Sequence, residues 1–437
     1  MNILIIDQDK VGLPYAMRCL AAGHRVKMWQ SLDKGDIKSR VGEGLVDQVA
    51  SWRPHMGWAD LIVLTDNSKH RDELEPYFTK GFPIIGANKR SGELELNREV
   101  GQRVLEECGI PTLPFKTFTS YDRAIQYVKS EGRPFVSKPW GGNPDKSLSY
   151  VPKTAEDLIS QLQTWKRLGL KGEFMLQEMV KGYEMAVGAW FGPGGWSKWK
   201  NENWEEKRLM NGGLGPNTGE MGTVMRYTKD SALFDEVLKP CTKVLNELGY
   251  VGYVDVNCMV GSDGTPWPLE FTMRFGWPHF NLCMALHKGD PAQWMLDLVN
   301  GRDSLECSED VCVGVVMAMG DYPWDFFDPE KNQGHPIRGL TKSNADRVYL
   351  TSARWGTAPC KRDGKIVDEE CMVSSGSYVL ITTGAGDDVQ EAQEEVYGLS
   401  KKIYWPPHRI YRTDIGCRLE EDLPKLQAFG FAAGMRY

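Results

Sequence analysis

The sequence has no long apolar run, no paired cysteines and few histidines. No apolar stretch approaches the roughly 18 residues that a membrane span requires. The 10 cysteines include no C-x-x-C pair, and the 7 histidines are scattered. A disulfide framework or a zinc–imidazole centre is therefore not expected. Residues 1–7 read as a short buried strand without the basic flank of a signal peptide, so we expect a cytoplasmic protein.

The chain also has fewer basic residues than acidic residues. The chain has 52 Lys and Arg against 59 Asp and Glu, a formal net charge of -7. This balance argues against nucleic-acid binding driven by charge. Trp196, Trp199 and Trp204, which alternate with lysines, could form a base-stacking strip. With this net charge we favour half-buried indoles in a hairpin, and no nucleic-acid partner is expected.

Residues 1–87 alternate between strand and helix patterns. Strands are predicted at 2–6, 25–29 and 61–64, and a helix at 13–22 that ends at Gly23. Such alternation is typical of a doubly wound parallel sheet.

The pattern changes after residue 87. Helices are predicted at 95–108, 121–129 and 232–248, with a capping box at Thr154 and Asp157 and a hairpin over 250–271. Strands dominate from 305, with one clear helix at 389–401. We therefore expect an α/β and α+β protein of three domains, 1–87, 88–304 and 305–437, the last of them β-rich.

Oxygen-bearing side chains lie on both arms of the predicted hairpin. Asp255 and Asn257 share one face of the first arm, and Glu270 and Thr272 share one face of the second. If the arms pair in register, four oxygen ligands converge in a manner that suits Mg²⁺. The alternative is an exposed acidic face, but unpaired carboxylates within apolar sequence are costly.

Three further features could handle anions. Arg274 could hold a transferring phosphoryl group or an acyl phosphate, although an ion pair with Glu270 is the alternative. Gly215-Pro216-Asn217-Thr218-Gly219 reads as a glycine-dense loop whose N–H groups could bind a carboxylate. Lys207 could bind a substrate carboxylate, or it could form a solvated basic pair with Arg208.

Lys138 ends a predicted strand, close to Gly141-Gly142 and Lys146. It could be a phosphate-binding lysine under a glycine loop, or an ordinary surface lysine; the segment is not a Walker loop. The stretch 177–184 joins two apolar strands through a glycine. Its backbone groups could form hydrogen bonds with the edge of an adenine ring, and Glu184 could accept hydrogen bonds from ribose hydroxyls. The alternative is a plain hairpin.

Taken together and in order, these segments resemble the glycinamide ribonucleotide synthetase (phosphoribosylamine–glycine ligase) family of ATP-grasp enzymes. The similarity runs from about Pro83 to Arg418. It rests on the ordered set Gly109-Ile110-Pro111-Thr112, Val136-Ser137-Lys138, Gln177 to Glu184, Gly215 to Gly219, Glu270-Phe271, Arg274-Phe275-Gly276-Trp277-Pro278, Gly320-Asp321-Tyr322-Pro323 and Asp414-Ile415-Gly416.

The resemblance implies an ATP-grasp core with a mobile flap at about 113–177, and a nucleotide bound between them. It implies ATP and Mg²⁺ (or Mn²⁺) as cofactors. The implied nucleotide-binding residues are Arg98, Lys138, Lys146, Gln177, Glu178, Met179, Val180 and Glu184. The implied metal ligands are Asp255, Asn257, Glu270 and Thr272. The implied residues facing the acid, the acceptor and the acyl phosphate are Lys207, Gly215, Pro216, Asn217, Thr218, Gly219 and Arg274.

The chain departs from the family at several of these positions. The family's glycine-rich loop for a ribose phosphate is replaced by a segment with Asp7 and Asp9, which would repel phosphate and could contact an amine-bearing acceptor. Asp145 and Ser147 replace flap glycines. Arg98 replaces a phosphate-binding lysine, and Thr272 replaces a metal-binding asparagine.

The expected activity is therefore an ATP-dependent carboxylate–amine ligase that acts through an acyl phosphate, as in purine biosynthesis. Its partners would be small molecules: an amino acid such as glycine and an amine acceptor. One alternative is a ligase for a different amine or a modified nucleotide, and another is a non-catalytic nucleotide-binding relative. A monomer or a homodimer is expected.

Overall fold

The computed structural model describes residues 1–31, 40–139, 149–320, 322–324 and 329–437. None of the helices within these ranges combines the length and the apolar character needed to cross a membrane.

The first unit is the expected doubly wound domain. Its five-stranded sheet has the order β3-β2-β1-β4-β5, and its strands pair in parallel. The elements are β1 (Asn2–Asp7), α1 (Leu13–Ala21), β2 (Arg25–Gln30), β3 (Asp47–Gln48), β4 (Leu61–Leu64), α2 (Arg71–Thr79) and β5 (Ile84–Ile85). Ile3 and Leu13 belong to one apolar cluster, and Leu4 and Leu74 belong to another. Helices thus cover both faces of the sheet, as alternating strands and helices require.

Two helices lead into a small unit that corresponds to the predicted flap. The elements are α3 (Lys89–Leu96), α4 (Arg98–Glu107), β6 (Phe115–Phe118), α5 (Tyr121–Glu131), β7 (Phe135–Pro139), α6 (Ala155–Arg167) and β8 (Phe174–Glu178). Strands β6, β8 and β7 form an antiparallel sheet, and α5 and α6 share an apolar cluster with it. The capping box that starts α6 is present, because Thr154 and Asp157 exchange hydrogen bonds of 3.2 Å.

The remaining chain is organised around one eight-stranded sheet of order β13-β12-β9-β10-β11-β16-β21-β18. Its strands are β9 (Gly182–Gly192), β10 (Gly195–Met210), β11 (Leu214–Thr228), β12 (Gly252–Gly261), β13 (Pro266–Thr272), β16 (Val311–Ala318), β18 (Val348–Leu350) and β21 (Tyr378–Gly386). Strand β16 pairs directly with β11, so β16, β21 and β18, which follow residue 305, extend the same sheet. The other elements are α7 (Thr242–Glu247), α8 (His279–Leu286), β14 (His287–Lys288), α9 (Gln293–Val299), β15 (Glu306–Cys307), β17 (Gln333–Pro336), β19 (Ala353–Arg362), β20 (Lys365–Ser375), α10 (Val389–Ser400) and α11 (Leu419–Ala428).

Two predicted helices are wrong in detail. The helix predicted at 95–108 is two helices, because Asn97 leaves the helical region (φ -116°, ψ 99°) and its side chain accepts a hydrogen bond from the N–H of Val100. The helix predicted at 232–248 starts with a π-turn (Phe234–Leu238) and a 3-10 turn (Lys239–Cys241). Pro240 lies in that irregular stretch and has no N–H to donate to the helical ladder.

Two elements at the C-terminal end are absent from the sequence prediction. Strands β19 and β20 form a hairpin, and α11 follows at the end of the chain. The hairpin turns at Asp363 and Gly364, which have φ values of 50° and 80°. A two-residue turn with positive φ at both positions is typical of Asp-Gly, so this dipeptide was a usable signal.

Helix α8 packs against the middle of the large sheet at a position that only glycine fits. A Cβ added at Gly314 in β16 would clash with Cδ1 of the buried Leu282. We expect Gly314→Ala to lower the free energy of unfolding by roughly 1–3 kcal/mol through overpacking. Leu282→Ala alone should cost about 2–5 kcal/mol.

Urea denaturation of the two single variants and the double variant tests this contact. The double variant should be more stable than the sum of the two single effects predicts, because the new methyl group enters space that Leu282 vacates. Simple additivity would contradict the packing described.

Candidate active site

Charged and polar side chains collect on one face of the large sheet. We call this group the carboxylate patch; it consists of Glu184, Glu205, Lys207, Glu220, Asp255, Asn257 and Glu270. The Asn257 amide donates to Glu184 Oε1 at 2.8 Å and to Glu205 Oε2 at 3.3 Å. Lys207 Nζ lies 2.9 Å from Glu205 Oε2. Side chains from three adjacent strands, β12, β9 and β10, are thus linked directly.

The two arms of the predicted hairpin pair in register. Asp255 lies opposite Thr272, and Asn257 lies opposite Glu270, across β12 and β13. The four candidate metal ligands are therefore neighbours at one edge of the sheet. Asp255 and Asn257 are both buried, and Glu270 and Thr272 are half-buried.

Asp255 is a buried carboxylate held by two hydrogen bonds. Its Oδ2 accepts from Asn203 Nδ2 at 2.9 Å and from the Tyr253 hydroxyl at 3.0 Å. Burial, followed by the charge of Glu205, raises the pKa of Asp255 to about 7 despite these donors. A cation placed beside Asp255 would therefore stabilise the ionised form strongly.

Lys138 extends from the flap sheet towards this patch. Its Nζ donates to Gln177 Oε1 at 3.0 Å. Burial, followed by repulsion from Arg98, lowers the pKa of Lys138 to about 7, while Glu270 acts in the opposite direction. A lysine in this state gains charge readily when an anion approaches, which is what a phosphate-binding lysine requires. The half-buried position of Lys138 and its hydrogen bond to Gln177 favour the phosphate-binding interpretation over an ordinary surface lysine, and that role stays a prediction.

Arg98 at the start of α4 is ion-paired with Glu270, at 2.5 Å from Nη2 to Oε2. Its Nη1 is buried without a hydrogen-bond partner among the described residues. Arg98 therefore brings a guanidinium with an unused donor to the edge of the carboxylate patch.

Arg274 does not pair with Glu270, so that alternative is wrong. Its Nε lies 3.0 Å from Glu95 Oε1 and 3.7 Å from Asp66 Oδ2. Asp66 belongs to the loop after β4, so Arg274 lies at the junction of the first unit with the core. It is held there by two carboxylates, and its proposed phosphoryl contact stays a prediction.

The Gly-Pro-Asn-Thr-Gly segment is a strand rather than the predicted loop. It lies in β11, where pairing with β10 continues to Met210 and Leu214 through an irregular register. Arg208 Nη1 donates to Gly215 O at 2.9 Å, and Thr218 Oγ1 donates to Lys207 O at 2.8 Å.

The other members of this segment differ in exposure: Asn217 and Gly219 are exposed, and Pro216 is half-buried. The tip of the β10–β11 hairpin is anchored by Asp414, whose Oδ2 accepts from the N–H of Gly212 at 2.7 Å. The C-terminal part of the chain therefore positions this segment.

The predicted nucleotide hinge joins the flap to the core at β8 and β9. The N–H of Glu178 donates to Pro114 O at 2.9 Å, and Glu178 Oε1 accepts from Arg133 Nη2 at 2.6 Å. Met179 and Val180 are half-buried. A Cβ at Gly182 would clash with Val260 O, so glycine is required where the chain enters β9. Lys146 and the neighbouring Gly141, Gly142, Asp145 and Ser147 lie outside the described residues.

The acidic residue that ends β1, Asp7, and the one just after it, Asp9, have different environments. Asp7 is fully buried, and its carboxylate accepts from the N–H groups of Val11 and Gly12, both at 3.0 Å. It also accepts from Thr65 Oγ1 at 2.9 Å and Gln30 Nε2 at 3.2 Å.

Oδ1 of Asp9 lies 3.4 Å from Lys69 Nζ. Partial burial and the nearby Asp66 raise its pKa to about 6. Asp9 remains available to a ligand, whereas Asp7 is engaged by four donors of its own chain.

Sequence reasoning missed Glu205, Glu220, Glu95 and Asp66. Glu205 is two residues before Lys207 on β10, so strand alternation would have placed it on the same face. Glu220 directly follows the Gly-Pro-Asn-Thr-Gly segment and was an available signal. Glu95 and Asp66 depend on contacts between the first unit and the core, which no local pattern reports.

The donor set fits a hard divalent cation that keeps few protein ligands. Among the described residues, no group of three or more His, Cys, Asp or Glu side chains could hold a metal ion. Asp255, Glu270 and the buried, unpartnered Asn257 Oδ1 offer oxygen ligands of two chemical kinds, carboxylate and amide. Mg²⁺ commonly uses one or two carboxylates together with phosphate oxygens and water, which suits this set.

Two family models match the chain. Residues 97–280 match the phosphoribosylglycinamide synthetase ATP-grasp (A) domain, and residues 312–418 match its C domain. Among curated proteins, a phosphoribosylamine–glycine ligase from Ralstonia nicotianae is 29% identical over 353 residues, covering 78% of this chain and 79% of that protein. One from Escherichia coli O157:H7 is 28% identical over 366 residues, covering 80% of each.

Solved structures give the same fold. A phosphoribosylamine–glycine ligase from Thermotoga maritima superposes with a TM-score of 0.70 at 20% identity, covering 95% of this chain and all (100%) of that one. An N5-carboxyaminoimidazole synthetase from Staphylococcus aureus, complexed with ADP, has a TM-score of 0.56 at 12% identity, covering 92% and 97%. With both domain models matched in order and curated relatives aligned over most of its length, the chain belongs to the phosphoribosylglycinamide synthetase family of ATP-grasp ligases.

Proposed function

We propose that the protein is an ATP-dependent carboxylate–amine ligase that acts through an acyl phosphate. A carboxylate oxygen of the acid attacks the γ-phosphorus of ATP, the bond to the β,γ-bridging oxygen breaks, and ADP leaves. The amine then attacks the acyl carbon, the bond from that carbon to the phosphate oxygen breaks, and the amine loses a proton. Phosphorylation supplies the leaving group that a carboxylate lacks.

The observation that carries this proposal is the position of Lys138 opposite the carboxylate patch. Its pKa responds to Arg98, Glu270 and Lys207, so a residue of the flap and residues of the core share one electrostatic region. A nucleotide bound there would meet cations from both sides. Positioning and charge neutralisation account for most catalysis of phosphoryl transfer.

Asp255, Asn257, Glu270 and Thr272 would hold the divalent cation, Mg²⁺ or Mn²⁺. The cation would neutralise phosphate charge and screen the nucleotide from the carboxylates. Glu270 would then exchange Arg98 for the metal, and the guanidinium of Arg98 would be available to phosphate oxygens. Glu178, Met179 and Val180 would present backbone groups to the base, and Glu184 would accept ribose hydroxyls.

The acid and its acyl phosphate would lie towards Lys207 and the Gly215–Gly219 segment. Lys207 is held next to Glu205, whose charge is the main factor that raises its pKa. It therefore stays protonated and can pair with a substrate carboxylate. Arg274 would act from the junction with the first unit.

A second candidate differs in the amine acceptor. The N–H groups of Val11 and Gly12, at the start of α1, are the usual kind of phosphate site on a doubly wound domain. Here the carboxylate of Asp7 occupies them. This favours an acceptor without a phosphate at this point, with Asp9 available to an amine, over phosphoribosylamine as the acceptor.

The first test concerns the metal site. Glu270→Gln should raise the Mg²⁺ concentration needed for half-maximal activity by roughly tenfold to a hundredfold, because a ligand charge is lost. The readout is ADP release and hydroxamate formation from ATP, an amino acid and hydroxylamine. The exposed Glu394→Gln on α10 serves as the matched control and should leave the metal dependence unchanged. Equal metal dependence in both variants would exclude Glu270 as a ligand.

The second test uses the pKa of Lys138. Bound phosphates favour the charged lysine, so binding raises its pKa above 7 and takes up a proton. Affinity for ADP without metal is then full below pH 7 and declines above it, by roughly fivefold from pH 7 to 8 and about tenfold more by pH 9. Calorimetric titration across this range measures the effect.

Lys138→Arg is the matched control for this titration, since arginine stays charged throughout. Asp255 also has a pKa near 7 and contributes to the slope in both proteins. The difference between wild type and Lys138→Arg isolates the lysine. Identical slopes would show that Lys138 does not contact the nucleotide.

The third test removes the Asp7 carboxylate from the N–H groups at the start of α1. Asp7→Gly should create a phosphate site that wild type lacks, because the two N–H groups lose their internal carboxylate. Calorimetric titration with ribose 5-phosphate should detect binding to Asp7→Gly only, with Asp7→Asn, which keeps the space filled, as the control. Unchanged ADP affinity would verify folding. Phosphate-dependent binding by wild type would restore phosphoribosylamine as the expected acceptor.

A further inference from the structure

Glu220 is a buried carboxylate to which no role has been assigned. It lies on β11 directly after the Gly215–Gly219 segment and is only 5% exposed. Its Oε1 is buried without a hydrogen-bond partner within the described ranges. A carboxylate oxygen left in this state is costly, so a donor from outside the chain would stabilise it.

The charges that act on Glu220 show where it faces. Burial raises its pKa well above the usual range, and Glu205 raises it further, while Lys207 lowers it. Asp255 and Glu184 contribute in the same direction as Glu205. All four of these residues belong to the carboxylate patch, so the side chain of Glu220 faces the same region as the proposed acid site.

Three buried acceptor atoms of this region have no donor among the described residues: Glu220 Oε1 on β11, Asn257 Oδ1 on β12 and Asn203 Oδ1 on β10. The unpartnered donors Arg98 Nη1 and Gln177 Nε2 belong to side chains that contact Glu270 and Lys138. Where the described residues leave acceptors without donors, a ligand that brings several N–H groups fits better than another anion. An ammonium group supplies three donors and a positive charge.

The proposed metal site does not satisfy Glu220. Strands β12 and β11 are separated by β9 and β10 in the sheet. At about 4.8 Å per strand, this places them roughly 14 Å apart, too far for one ion to bridge Asp255 and Glu220. Glu220 therefore needs a donor of its own, on the side of the sheet where Lys207 and the Gly215–Gly219 segment lie.

We propose that Glu220 binds the ammonium group of the carboxylic acid that is phosphorylated, and thereby restricts the acid substrate to amino acids. Lys207 would pair with the carboxylate and Glu220 with the ammonium, so the two side chains together form a receptor for a zwitterion. Lys207 on β10 and Glu220 on β11 both fall in the stretch where the register of these strands is irregular, between the pairs Glu206–Gly222 and Arg208–Asn217. This inference rests on the ligase activity proposed above.

Pairs of acids that differ only in the amino group test the proposal. Hydroxamate formation from ATP and hydroxylamine is compared for glycine against acetate and for alanine against propionate. Wild type should prefer the amino acid by at least about a hundredfold in kcat/KM, the scale on which a site with a buried charge rejects a ligand that lacks its partner. Glu220→Gln should lower kcat/KM for glycine by roughly tenfold to a hundredfold and leave the acetate value unchanged.

Glu394→Gln is the control for the charge change and should behave as wild type. The affinity for ADP in the absence of acid reports folding and should be the same in all three proteins. A Glu220→Gln enzyme that binds ADP normally and keeps the full preference for glycine would overturn the inference while leaving the ligase activity intact.

Absence of hydroxamate from every acid in wild type would instead count against the ligase activity. Calorimetric binding of glycine and acetate to the ADP-bound protein then compares the same pair without turnover. Tighter binding of glycine that is lost in Glu220→Gln would support the role of Glu220. Equal binding of the two acids by wild type would reject it.

Discussion

The arrangement of the site follows from an imbalance of charge on one face of the large sheet. Five carboxylates share this region, Glu184, Glu205, Glu220, Asp255 and Glu270, against the three cations Lys138, Lys207 and Arg98. Burying such a set without further positive charge is unfavourable, and the raised pKa values of Asp255 and Glu220 are its visible result. A cation and a positively charged substrate group would offset the excess.

The sheet makes this concentration of charge possible because its central strands pair in a fixed register around the patch. Continuous pairing of β9 with β12, and of β9 with β10 from Lys200 to Asn203, fixes the relative positions of side chains that are far apart in sequence. The opposite face contributes to a large apolar cluster with α10 and α11, which supplies the burial that stabilises the unit. Polar residues on one face are tolerated because the other face is apolar.

Local patterns predicted those parts of the fold that depend on local interactions. The parallel first domain, the cap at Thr154 and the hairpin that carries Asp255 and Glu270 were all predictable, since each depends on residues close in sequence. The split at Asn97 was not recognised, although asparagine favours helix caps. The strand conformation of the Gly215–Gly219 segment depends on pairing with β10 and on the anchor at Asp414, so its glycines suggested a loop.

The candidate site was predictable where one hairpin or one strand end carries it, as at Asn257 or Lys138. It was not predictable where distant segments meet. Arg98 and Glu270 are far apart in sequence, yet they form an ion pair. Before a ligand binds, the carboxylate of Glu270 is therefore paired with the guanidinium of Arg98. Asp7 was expected to face the acceptor, but its carboxylate is enclosed by Val11, Gly12, Gln30 and Thr65 and supports the first loop from inside.

The hairpin formed by β19 and β20 is a suitable site for inserting a peptide into this protein. Its turn at Asp363 and Gly364 lies in an exposed stretch, and the hairpin takes no part in the eight-stranded sheet. Exposed turns of this kind accept inserted peptides more readily than any strand of the central sheet. A fluorescent reporter or an affinity sequence placed at this turn would lie outside the eight-stranded sheet that carries the carboxylate patch.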